Sequence, residues 1–117
     1  MTQPTCPVVV AIGYNRGEKR MSQGAARSFK MLVRDAIEFV GGEVNASVHG
    51  LSAWKGQSEK STVFFATIPV ACVSDVQARL NRIGWNYDQD AIGFIVGLPA
   101  TTSYITIEDP NHAEPHQ

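Results

Sequence analysis

Apolar positions along this chain fall into short β-branched runs and two stretches of helical period. Val8-Val9-Val10-Ala11-Ile12, closed by Gly13, predicts a buried strand. Tyr14 to Met21 is polar, charged and glycine-bearing, which predicts a loop. Ser22 stands as an N-cap ahead of Phe29, Leu32, Val33, Ala36, Ile37 and Val40, whose spacing predicts a helix ended by Gly41-Gly42. Val44, Ala46 and Val48 then alternate with Asn45, Ser47 and His49, the pattern of a half-buried strand.

Gly50 to Lys60 contains Ser52, Gly56, Gln57 and Ser58 and predicts a long hairpin connection. Thr62 to Ile68 is a second buried strand, ended by Pro69. Ser74 with Gln77 forms a capping-box pattern before Val76, Leu80 and Ile83, and Gly84 stops that helix. Trp85 to Gln89 connects to a fourth strand over Ala91–Val96. Tyr104 to Ile107 predicts a fifth strand. Glu108 to Gln117, with two prolines, reads as a mobile tail, leaving one domain over 1–107.

The order β-α-β-β-α-β predicts an α+β, ferredoxin-like fold: an antiparallel sheet with two helices on one face. Right-handed crossovers put strands one and three in the centre, strand four beside one and strand two beside three. Three connections, 14–21, 50–60 and 85–89, then meet at one end of the sheet, together with the N-terminus of the first helix. The uncovered face calls for a partner, so a homodimer or higher homo-oligomer is expected.

Composition sharpens this picture in one respect. The 117 residues carry a net charge of −1, which argues against a nucleic-acid coat. Yet residues 1–60 hold 8 basic and 5 acidic side chains, whereas residues 61–117 hold 2 and 6. Six of the ten basic residues lie between Arg16 and Arg34. No apolar run approaches the ~20 residues of a membrane span, and no basic region precedes Pro7–Ile12 as in a signal peptide. A cytoplasmic location follows. Cys6 and Cys72 make no disulfide framework and read as reduced thiols, possible neighbours on central strands. No metal-ligand spacing occurs, His112 and His116 lie in the tail, and no cofactor is expected.

The basic loop, the helix N-terminus and the aromatic loops together predict an anion-accepting pocket for a nucleotide-like ligand. Its candidate residues are Tyr14, Arg16, Lys19, Arg20, Arg27, Trp54, Lys55, Glu59, Tyr87 and Gln89. The competing reading makes the cations a solvated surface and Trp54 and Tyr87 caps on the core edge. Gly13-x-x-x-Gly17 lacks the Gly-Lys-Ser/Thr ending of a phosphate loop. The RNA-recognition pattern also fails, since Val8–Ile12 has no aromatic and Phe64-Phe65 are adjacent rather than alternate. A non-catalytic binding protein is therefore favoured. The alternatives are a module that inhibits a partner protein and a small hydrolase or lyase using His49 and Glu59 as an acid–base pair.

The segment Gly50-x-x-x-Trp54-x-Gly56-x-x-Glu59-x-Ser61, followed by Tyr87-x-Gln89-Asp90-Ala91-Ile92, resembles small uncharacterised proteins of bacteriophages and bacteria. These share a Trp-x-Gly-x-x-Glu-x-Ser hairpin and a Gln-Asp/Glu-Ala/Ser-Val/Ile strand start. The resemblance implies a ferredoxin-like fold and carries no established activity. It implies an accessory protein of the host cytoplasm that binds a host nucleotide signal or evades a host defence protein. In the motif, Glu59 either fixes the hairpin, accepting from the Trp54–Gly56 turn or from Gln89, or reads donors on a ligand.

Overall fold

The computed structural model describes residues 3–97. The expected fifth strand at Tyr104–Ile107, the tail from Glu108 and the histidines His112 and His116 lie outside the described residues. Six strands and two helices follow in order: β1 (Thr5–Gly13), β2 (Asn15–Arg16), β3 (Lys19–Arg20), α1 (Gln23–Phe39), β4 (Glu43–Trp54), β5 (Gln57–Pro69), α2 (Val73–Asn86) and β6 (Gly93–Val96). The main sheet is antiparallel with strand order β4-β5-β1-β6, the ferredoxin-like order, and both helices cover one face.

Period-two alternation builds the core. Val8, Val10 and Ile12 of β1 and Thr62, Phe64, Ala66 and Ile68 of β5 are buried beneath the helices. From above, α1 adds Phe29, Val33, Ala36 and Ile37, and α2 adds Val76 and Leu80. Burying an apolar side chain of Val, Leu, Ile or Phe size stabilises by about 1.5–3 kcal/mol. Among the described residues, nothing covers the other face. Val48, Phe65 and Ile95 stand exposed on it, and any self-association through this face would draw on them. Among the described residues, no helix is long and apolar enough to cross a membrane.

Several local expectations are corrected. The 50–60 segment is not a long connection: the β4–β5 ladder continues to Trp54↔Gln57, and only Lys55-Gly56 turn. Both have positive φ (50° and 79°), the two-residue hairpin turn whose twist matches the strands. Beyond Gly50↔Ser61 this ribbon has outrun β1, which ends at Gly13. The 14–21 loop folds into the small β2–β3 hairpin. Ser22 does cap α1, its hydroxyl oxygen accepting from the Ala25 N–H at 3.2 Å. Leu32, expected in the core, is exposed. Ser74 is no cap, because a single 3-10 turn, Val70–Cys72, leads directly into α2 at Val73. That helix also runs past Gly84 to Asn86, and the fourth strand starts at Gly93 rather than Ala91. Cys6 is buried in β1, while Cys72 sits in the turn rather than on a strand; both are free thiols.

One irregularity governs the chemistry. A bulge at Asn45 shifts the β4 register between Val44↔Ala66 and Ala46↔Phe65. The extra residue flips every later side chain to the other face. Ala46 and Val48 therefore join the open face, and Ser47 and His49 lie on the helix side opposite Phe64 and Thr62.

Candidate functional site

Glu59 stands on the open face of the sheet, in register opposite Ser52. Its half-buried carboxylate lies directly over Gly13, where a Cβ would overlap the carboxyl carbon and both oxygens. The missing side chain at the end of β1 is thus the space that the carboxylate occupies. Glu59 Oε2 accepts the Asn15 backbone N–H at 3.1 Å. Among the described residues no cation pairs with it; the ion pairs of this end are Arg16–Asp88 at 3.9 Å and Lys55–Asp90 at 3.0 Å.

A cavity of about 320 Å³ opens beside Glu59, lined among others by Gly13, Asn15, Trp54, Ser61, Gln89 and Asp90. Its size falls at the lower end of the ~300–1,000 Å³ usual for small-molecule sites. Side-chain contacts tie its walls together. The Trp54 indole N–H donates to Asp90 Oδ2 at 3.0 Å, which joins the hairpin to the segment before β6. That bond and the adjacent Lys55 ammonium lower the Asp90 pKa from its ordinary value. The Gln89 amide N–H groups donate to the backbone oxygens of Asn15 at 2.7 Å and Tyr87 at 3.1 Å. Gln89 is therefore a brace between β2 and the α2–β6 loop. Glu59 accepts neither from the Trp54–Gly56 turn nor from Gln89, contrary to the architectural expectation.

The tyrosines belong to the core edge. Phe29 meets Tyr87 in a stacked pair at 4.9 Å and Tyr14 edge-on at 6.3 Å. The Arg16 guanidinium lies over the Tyr87 ring, 5.4 Å from its centre. Burial raises the Tyr14 pKa, partly offset by the hydrogen bond of its hydroxyl with Thr62. Trp54, at 47% exposure, keeps much of its indole accessible beside the cavity.

The ten expected ligand residues do not converge on one pocket. Trp54, Glu59 and Gln89 line the open-face cavity, with Lys55 in the adjoining turn. Lys19 and Arg20 are exposed on β3. Tyr14 and Arg27 line a different cleft, on the helix side. His49 and Glu59 lie on opposite faces, so the expected acid–base pair does not form: His49 is opposite Thr62 and Glu59 opposite Ser52. Sequence reasoning missed Gly13 and Asn15, which position Glu59. The glycine closing a β-branched run was the available signal. Among the described residues, no group of three or more His, Cys, Asp or Glu side chains gathers as a metal site would require.

No protein-family model matches this chain, and no curated protein matches it. Solved structures do. A phage SAM lyase in complex with S-methyl-5'-thioadenosine superposes with TM-score 0.56 at 14% identity, over 83% of each chain. A DUF3240-family protein from Shewanella baltica gives TM-score 0.53 at 9% identity, over 91% of this chain and 100% of the other. CutA1 from Oryza sativa gives 0.51 at 13%, over 88% and 85%. At such identities the shared property is the ferredoxin-like fold, which the phage protein has in common with this chain.

Proposed function

We propose that the chain is a small lyase acting on an adenosine-bearing sulfonium of the S-adenosylmethionine type, bound in the Glu59 cavity. The observation that carries this reading is Glu59 itself, a half-buried carboxylate without a cationic partner among the described residues, set at a ligand-sized cavity beside an accessible indole. The fold likeness to a SAM lyase seen with S-methyl-5'-thioadenosine supports this choice of substrate class. That nucleoside is the thioether left when the bond from the sulfonium to the amino-acid chain breaks.

In that cleavage the substrate's own α-carboxylate bonds to the carbon that leaves the sulfur, closing a five-membered lactone, while the sulfur keeps the broken bond's electron pair and its positive charge disappears. A carboxylate held against the sulfur would stabilise the substrate more than the transition state. Glu59 is therefore assigned to the substrate's ammonium group, whose charge persists through the reaction. Trp54 offers its face to the adenine. Gly13 and Asn15 position Glu59, and Asp90 positions Trp54. The reading replaces an anionic ligand by one with a cationic end, in keeping with the carboxylates Glu59, Asp88 and Asp90 around the cavity.

Calorimetric titration tests the assignment with two probes. S-Adenosylhomocysteine carries the ammonium, and S-methyl-5'-thioadenosine lacks it. Glu59→Gln should weaken the first by about tenfold or more, because a charge-assisted hydrogen bond contributes ~1.5–3 kcal/mol. Affinity for the second should barely change. Equal effects on both, or no binding of either by the native chain, would remove the proposal.

A further inference from the structure

The helix side of the sheet holds a second concavity, across the sheet from Glu59. An open cleft of about 760 Å³ lies between α1 and the β4–β5 ribbon. Arg27, Lys30 and Lys60 line it together with His49 and Tyr14, and among the described residues no carboxylate does. Among the described residues, none of these three cations is in an ion pair; the pairs take Arg16, Arg34, Lys55 and Arg79 instead.

Half-buried Lys30 reaches His49 Nε2 at 3.4 Å rather than a carboxylate. An ammonium has no lone pair, so in this contact Nε2 accepts and the imidazole proton resides on Nδ1. The Nδ1–H then donates to Thr62 Oγ1 at 2.8 Å. Thr62 is fully buried, and its hydroxyl shares a 2.6 Å hydrogen bond with that of Tyr14. The ring is thus braced from below by Thr62, with its Nε2 edge turned to Lys30. Three like charges gathered in one cleft repel one another, and an anion between them removes that cost.

We infer that this cleft is a separate site for a phosphate dianion, free or as a phosphomonoester, held by Arg27, Lys30 and Lys60. The site is independent of the Glu59 reaction and lies on the opposite face. Phosphate competes with His49 Nε2 for the Lys30 N–H groups, so the ring should sense binding.

Titration of the nitrogen-15-labelled full chain at constant ionic strength tests this, with inorganic phosphate in one arm and glycerol phosphate in the other. Saturable shifts are expected at the Tyr14, Lys30 and Ser61 amides and at the His49 ring nitrogens, in at least one arm. The tighter arm identifies the source. Arg27→Gln, Lys30→Gln and Lys60→Gln should each weaken binding by about tenfold. Glu59→Gln and, on exposed α2, Arg82→Gln should leave it unchanged. Shifts that grow linearly with added anion, are matched by chloride, or persist undiminished in all three cation variants would overturn the inference.

Discussion

Gly13→Ala separates the position of the Glu59 carboxylate from its charge. The added methyl would overlap the carboxyl carbon and both oxygens. Restoring an ordinary carbon–carbon separation of ~3.5–4.0 Å requires the carboxyl to retreat by roughly 1–2 Å. The obstacle is the end of a flexible side chain, so Glu59 moves and the backbone does not. Its 3.1 Å bond from the Asn15 N–H is lost. At a half-buried site that loss costs about 1 kcal/mol. Gly13 has no positive φ, so alanine there also restricts the unfolded chain, which returns about 0.4–1 kcal/mol. The two effects nearly cancel, and the melting temperature should stay within about 5 °C of the native value. Function should suffer far more, since a 1 Å displacement of a reacting or positioning group costs on the order of 100-fold. The assay is cleavage of S-adenosylmethionine, with circular dichroism melting as the control for folding. Glu59→Gln, which leaves a carboxamide in place over Gly13, should lose only about tenfold, and through substrate binding rather than turnover at saturation. A well-folded Gly13→Ala protein with turnover within about threefold of native would refute the argument, as that is far less than a misplaced group should cost.

Other consequences follow from the same geometry. Because burial raises the Tyr14 pKa, folding favours the neutral phenol. Its contribution is complete below the ordinary tyrosine value of about 10 and is lost as pH rises through the higher folded-state value, so urea unfolding of Tyr14→Phe should show a shallower alkaline decline than native. Trp54→Phe removes the indole donor to Asp90, and carbon-13 NMR should find the Asp90 carboxyl titrating closer to its ordinary value. Phe64→Ala empties a fully buried position between sheet and helices and should cost about 3–5 kcal/mol in denaturant unfolding. Gly56→Ala forces a side chain into φ of 79° and should lower stability by about 1 kcal/mol or more, without touching the cavity.

The global fold was legible because its signals are periodic. Val8, Val10 and Ile12, and the helical spacing of Phe29, Val33 and Ile37, each point to one buried face, and right-handed crossovers then leave one strand order. The site was less legible for two physical reasons. Asn45 carries no mark of a bulge, yet its extra residue reassigns every later β4 side chain and puts His49 across the sheet from Glu59. Ser52, Gln57 and Ser58 have turn-forming side chains, yet cross-strand pairing keeps them in the ladder and confines the turn to Lys55-Gly56. The motif joining Trp54, Glu59 and Gln89 was visible as a spacing. Its division into a brace, Gln89, and a carboxylate, Glu59, that has no ion pair among the described residues depends on hydrogen bonds spanning up to 74 residues.

The most direct measurement is chromatographic detection of S-methyl-5'-thioadenosine released when the purified full chain is incubated with S-adenosylmethionine. The account predicts steady release by the native protein, a drop on the order of 100-fold in Gly13→Ala and, at substrate well below saturation, a drop of about tenfold in Glu59→Gln. No release above the spontaneous rate, or release undiminished in either variant, would contradict it.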